Sequence, residues 1–152
     1  MAYWLMKSEP DTFSIDDLRE RPNGTEHWDG VRNYQARNMM RDQMKMGDKV
    51  FFYHSSCPQP GIAGIAEIVA EAYPDDSAQN PESRYFDPKA SPDEPRWYMV
   101  DVRFERKLKR VITLADLKAE PALGEMKLVQ KGSRLSIMPV TAEEWRQILA
   151  ME

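Results

Sequence analysis

The densest chemistry in the sequence lies in one run, Trp28-Asp29-Gly30-Val31-Arg32-Asn33-Tyr34-Gln35-Ala36-Arg37-Asn38. A large ring, amides and guanidinium groups follow one another before and into a helix start. A flat aromatic stacks on any nucleobase for about 1–3 kcal/mol. Asn side chains and backbone groups pair with a base edge, and Arg meets a phosphate. Such a run could hold a nucleotide without making or breaking a covalent bond. The same residue types fit equally well a Trp28 in the core with Arg32 and Arg37 on a solvated surface.

Other chemistries find less. The histidines are His27 and His54 and the cysteine is Cys57, with no zinc-site spacing, so no metal is expected. Ser55 and Ser56 follow His54, but neighbours on a strand point to opposite faces, and no Gly-x-Ser-x-Gly elbow is present. The stretch Gly61-Ile62-Ala63-Gly64 lacks the further glycine and the helix of a phosphate loop, and no cofactor is expected.

These groups must be carried by a mixed set of elements. Alternation and β-prone residues predict strands over Tyr3 to Lys7, Lys49 to His54, Ile62 to Val69, Trp97 to Phe104 (reaching toward Leu108) and Ser136 to Met138. Gly64 predicts a bulge or tight bend within its strand. Capping signals at Ser14, Asn33, Thr113 and Thr141 predict helices, the second running to about Met44. Tyr73 to Pro95 carries five prolines and reads as an ordered but irregular loop. Strands and helices do not alternate regularly, so the class is α+β: a small, curved, mostly antiparallel sheet or barrel with flanking helices.

The 152 residues fit one domain, expected to span 1–152. No stretch approaches the ~18 apolar residues of a membrane span, so no membrane partner is expected. The start lacks the layout of a signal peptide, and one cysteine cannot form an internal disulfide, so a soluble, cytoplasmic protein is expected. The net charge is −4, against a protein that coats nucleic acid through its overall field. Two basic runs are hidden in that total: Arg32, Arg37, Arg41 and Lys45, then Arg103, Arg106, Lys107, Lys109 and Arg110.

Four ordered segments carry a family resemblance. They are Tyr3-Trp4-Leu5-Met6-Lys7-Ser8-Glu9-Pro10, the run from Trp28 to Asn38, Gly47-Asp48-Lys49-Val50-Phe51-Phe52-Tyr53-His54-Ser55, and Gly61-Ile62-Ala63-Gly64-Ile65-Ala66. With Lys131-Gly132-Ser133-Arg134-Leu135-Ser136, the chain resembles the EVE domain family over essentially its whole length. The resemblance implies a PUA-like fold, a curved β-barrel with helices around it, and kinship with YTH domains, which hold N6-methyladenine of RNA in an aromatic cage. It implies a reader of a modified base: 5-methyl- or 5-hydroxymethylcytosine in DNA, or a modified RNA base.

Carried over by position, Lys7, Ser8 and Glu9 resemble the strand end that lines the pocket. YTH domains have Asn where Glu9 stands, which implies a different base edge being read. Trp28 resembles a cage wall, Asn33 and Tyr34 the pocket edge, and Tyr53, His54 and Ser55 the far rim. Ser133 and Arg134 resemble a backbone-contacting loop. The second wall is open between Tyr85, Phe86 and Trp97. The expected function is base binding without catalysis, with Arg32, Arg37, Ser133 and Arg134 on phosphates. The rival is an ASCH-like nuclease or small-molecule hydrolase acting on RNA or a modified nucleoside through Lys7, Tyr53 and His54. A third reading is a protein-interaction module built on the Tyr73–Pro95 loop.

Overall fold

Three helices start at reciprocal caps written locally in the sequence. The Ser14, Thr113 and Thr141 hydroxyls accept from the backbone N–H three residues on. The Asp17, Asp116 and Glu144 carboxylates accept in return from the cap N–H. Each such cap stabilises its helix start by about 1 kcal/mol. The helices are α1 (Ile15–Glu20), α2 (Tyr34–Asp42), α3 (Leu114–Ala119) and α4 (Ala142–Ala150). They come from a computed structural model that describes residues 1–132 and 134–152.

Six strands form one sheet: β1 (Tyr3–Ser8), β2 (Thr25–His27), β3 (Lys49–His54), β4 (Gly61–Pro74), β5 (Tyr98–Thr113) and β6 (Ile137–Val140), in the order β2-β5-β4-β3-β1-β6. The β1/β3 pair is parallel and the other pairings are antiparallel. This is the expected α+β, mostly antiparallel, PUA-like sheet with flanking helices. Register shifts between β3 and β4 and repeatedly along β4/β5 curve it. The ladder is open at β2 and β6 among the described residues, so the curvature stops short of a closed barrel.

Gly64 sits at these shifts, as expected. A β-carbon there would meet the Ile15 side chain at 2.6 Å, so its absence lets α1 settle onto the sheet. Other boundaries differ from the sequence reading. β4 and β5 run on together far beyond their alternating segments, because each supplies the other's ladder. β2 is three polar residues with no apolar signal, formed by pairing with β5. β6 continues through Pro139, which an edge strand tolerates.

Side-chain alternation divides the interior in two. Trp4, Met6, Val50, Phe52, Val100 and Val102 point to one face and pack with Ile15 and Leu18 of α1 and Met39 and Met40 of α2. Leu5, Phe51, Tyr53, Ile62 and Ile112 point to the other, against Leu117 of α3 and Trp145 and Ile148 of α4. Trp4 is thus a core residue, and its indole N–H donates to the buried Asp48 carboxylate at 3.0 Å. Among the described residues no helix is long and apolar enough to cross a membrane.

Candidate nucleic-acid interface

A cleft of about 780 Å³ opens where β1 ends and β2 hands on to Trp28. Its polar floor is set by the parallel β1/β3 pair. Ser8 lies opposite His54 in register, and the Ser55 N–H donates to the Ser8 carbonyl at 3.0 Å. After Glu9 the chain doubles back, with the Thr12 and Phe13 N–H groups donating to the Glu9 carbonyl. The Ser8 hydroxyl donates to the Phe13 carbonyl at 2.6 Å, which spends its hydrogen and leaves its lone pairs to accept from a ligand. On the far side the Lys7 N–H donates to the Ser136 carbonyl, bringing Arg134 and Ser136 to the rim.

Trp28, Phe13 and Tyr85 supply the aromatic lining. Trp28 is only 9% exposed. Its N–H donates to the Val100 carbonyl, and its ring meets Phe52 edge-on at 5.4 Å. It belongs to the core and to the cleft at once. Tyr85 packs over Gly30, and its carbonyl accepts two bonds from Arg32.

Asp75 is fully buried and serves as the hub of this wall. Its Oδ2 accepts from the Gly30 N–H at 2.9 Å and from Arg32 Nη1 at 3.2 Å, while Oδ1 accepts from the N–H and hydroxyl of Ser77. Arg32 adds bonds to the Tyr85, Val31 and Ser77 oxygens. A buried ion pair with this many hydrogen bonds fixes geometry more than it adds net stability.

Burial pushes the Lys7 ammonium below its ordinary pKa. Burial, reinforced by the Asp75 charge, pushes the Asp29 carboxyl up. No other residue donates a hydrogen bond to the Asp29 carboxylate among the described residues, whereas Glu26 accepts from Arg21 at 2.8 Å. The Asp29 carboxylate thus gains from a hydrogen-bonding ligand in the cleft, while the ammonium of Lys7, a residue of the lining, lies 5.7 Å from the centre of the Tyr53 ring. No group of three or more possible metal ligands occurs among the described residues.

Of the residues expected at the site, Lys7, Ser8, Glu9, Trp28, Arg32, Ser55, Tyr85 and Arg134 line this cleft. Six others are turned to different tasks. Asn33 caps α2, its side chain accepting from the Ala36 N–H. Tyr34 is 48% exposed and stacks on Trp97 at 4.7 Å, outside the cleft. Trp97 is buried behind it and donates its indole N–H to Asp87 at 2.7 Å. Tyr53 points into the opposite core, where burial raises its pKa to about 12. His54 Nε2 accepts from the Ile15 N–H at 3.1 Å, which occupies the nitrogen a general base would use. Arg37 donates to Asn38 and to the Arg96 carbonyl.

Arg32 lines the cleft, but its guanidinium donors are all directed at protein oxygens, which leaves none for a phosphate. Phe86 is outside the lining, so Tyr85 is the candidate of the three that reaches it. Ser133 lies outside the described residues. Most of the basic run on β5 is neutralised in place: Arg103 pairs with Glu67, Arg106 with Glu152, Lys107 with Asp16 and Arg110 with Asp116.

Phe13, Asp29, Asp75 and Arg84 were missed by the sequence reading. Asp29 and Arg84 flank recognised residues and could have been included by proximity. Phe13 and Asp75 carry no short-range signal, since folding of distant segments brings them to the site.

An EVE domain family model matches residues 2–151. The chain belongs to the EVE domain family. A Pseudomonas syringae protein of known structure is 57% identical, with a TM-score of 0.94 over 99% of both chains. Human thymocyte nuclear protein 1 is 48% identical over 99% of this chain and 74% of its own length. Its crystal structure in complex with 5-methylcytosine-containing DNA superposes on this EVE domain with a TM-score of 0.94, at 46% identity over 99% of this chain and 97% of that one. An ASCH protein of Zymomonas mobilis, 12% identical with a TM-score of 0.58, shares the fold alone.

These relatives correct one expectation. Several of them, fish, mammalian and avian, are named as nuclear proteins, so the cytoplasmic assignment does not stand. Its basis was the missing signal-peptide layout and the lone cysteine, and neither separates cytosol from nucleus, since disulfides are rare in both.

Proposed function

We propose that this EVE domain binds DNA carrying a modified base, 5-methylcytosine first among them, and holds that base in the cleft between Trp28, Phe13 and Tyr85. The observation that carries this reading is the cleft itself: three aromatic residues beside Ser8, Asp29 and Lys7, in a chain nearly superposable on a human relative crystallised with 5-methylcytosine DNA. A stacked base contributes about 1–3 kcal/mol, which together with hydrogen bonds to its edge offsets the few kcal/mol of extruding it from a duplex. Asp29 and Glu9 are suited to accept from the exocyclic amino group of a cytosine, which separates it from thymine. The methyl group alone contributes about 0.8 kcal/mol, under tenfold, so sharper selectivity requires a niche shaped around it.

Binding without chemistry fits the occupied His54 Nε2 and the inward-facing Tyr53 better than the hydrolase reading does. Lys7, with its depressed ammonium, is the residue that reading would retain.

The test measures affinity for short DNA and RNA strands with cytosine, 5-methylcytosine or 5-hydroxymethylcytosine at one position. Wild type is compared with Tyr85→Ala and Ser8→Ala. Preference for a modified strand, lost in Tyr85→Ala with the fold intact, is expected. Equal affinity of all strands for wild type, or turnover of substrate abolished by Lys7→Ala, overturns the reading.

A further inference from the structure

Beside the cleft runs a second, shallower groove of about 340 Å³, lined by Lys127, Gln130, Lys131, Gly132, Arg134 and Leu135. Arg134 lines both, so the two adjoin at that residue. Among the described residues no acidic side chain lines the groove. Lys127 opens a 3-10 turn, Lys127–Val129, whose neighbours Met126 and Leu128 are buried in the core against α3 and α4. The Gln130 amide donates to the Glu125 carbonyl and ties the turn to the segment before it. Lys127, Lys131 and Arg134 are exposed, and among the described residues none of them makes an ion pair, in contrast to Arg103, Arg106, Lys107 and Arg110 on β5.

We infer that this groove carries the sugar–phosphate backbone of the nucleic-acid strand that leaves the bound base, with Lys127, Lys131 and Arg134 on successive phosphates. The inference rests on the base-reading proposal above and adds the direction in which the strand runs from the cleft. In a chain of net charge −4, most of the surface repels a polyanion. An unneutralised basic strip that begins at the rim of the base cleft therefore sets the path. Cations that contact phosphates release condensed counterions, and for a single strand the slope of log affinity against log salt changes by about 0.7 for each contact.

The experiment compares free 5-methyl-2′-deoxycytidine with a short single strand carrying one 5-methylcytosine. It uses wild type, Lys127→Glu/Lys131→Glu, and Lys118→Glu/Arg146→Glu as a control of equal net charge outside both cavities. The ratio of strand to nucleoside affinity is expected to fall at least about tenfold in the groove variant, and the salt slope by about 1.4 for two lost contacts, with the control close to wild type. Equal losses in groove variant and control, or none in the groove variant, overturn the inference. Failure of the base reading looks different: wild type then binds methylated and unmethylated strands alike, while the groove variant still loses affinity for both. Binding of anionic lipid vesicles abolished by the groove substitutions, with strand affinity retained, also overturns the inference.

Discussion

Tyr85 rests directly on the backbone of Gly30: a β-carbon on residue 30 would meet the ring Cζ at 2.5 Å and Cε1 and Cε2 at 2.7 Å. Gly30 also has φ +78°, where a side chain is strained whatever the space. The aromatic wall of the cleft and a left-handed turn thus depend on the same missing atom.

Gly30→Ala is therefore expected to destabilise the domain by about 2 kcal/mol or more and to displace Tyr85. Adding Tyr85→Ala removes the clash and leaves the backbone strain, so the double variant recovers part of the melting temperature but not strand binding. Strict additivity of the two substitutions in thermal melts would show that ring and turn are not coupled.

Asp75 holds the same wall from behind. Asp75→Ala leaves the Arg32 charge and the Gly30 N–H without their partner, a loss of about 2–4 kcal/mol. Limited proteolysis should then cut first between residues 75 and 97. A wild-type cleavage pattern in the variant would count against Asp75 as the hub.

The charged Asp29 opposes stability at neutral pH. Its carboxyl is raised above the usual 3.8, so the folded state binds the proton more tightly. The favourable contribution is full below pH 3.8 and is lost as pH rises through the folded value. Asp29→Asn, which resembles the protonated form, should melt higher at pH 7 while discriminating cytosine from thymine less well. A lower melting temperature would contradict the sign of this shift.

His54 has the reverse linkage. Burial is the main cause that holds it below 6.5, with Lys107 acting the same way and Asp16 and Asp17 opposing. The unfolded chain binds the proton more readily, so stability falls as pH drops below 6.5 toward the folded value. His54→Asn should flatten the melting temperature between about pH 5 and 7 relative to wild type. Carboxylates enter lower: Glu152, held near 2 by its two bonds to Arg106, loses its contribution as pH falls from 4.5 through that value.

Trp28→Phe tests stacking more cleanly than truncation. Trp28 packs on Phe52, and removing the whole ring would cost about 3–5 kcal/mol of core. The conservative change should weaken strand binding several-fold with a modest drop in melting temperature. Unaltered binding would assign Trp28 to the core alone.

The sequence by itself determined what depends on near neighbours along the chain. Helix starts at Ser14, Thr113 and Thr141 are four-residue arrangements, and alternation in β1, β3 and early β5 states which side chains share a face. The ordered motifs carried the family. Tertiary structure decided what depends on partners far apart. Lys107 finds Asp16 across 91 positions, Arg32 finds Asp75 across 43, and the Ile15 N–H finds His54 across 39. Pairings of this kind neutralise most of the two basic runs, withdraw Arg32 and His54 from chemistry, and bring Phe13 and Tyr85 to the cleft. A residue's type states which bonds it is able to make, and only the folded chain states which donors and acceptors have already been taken.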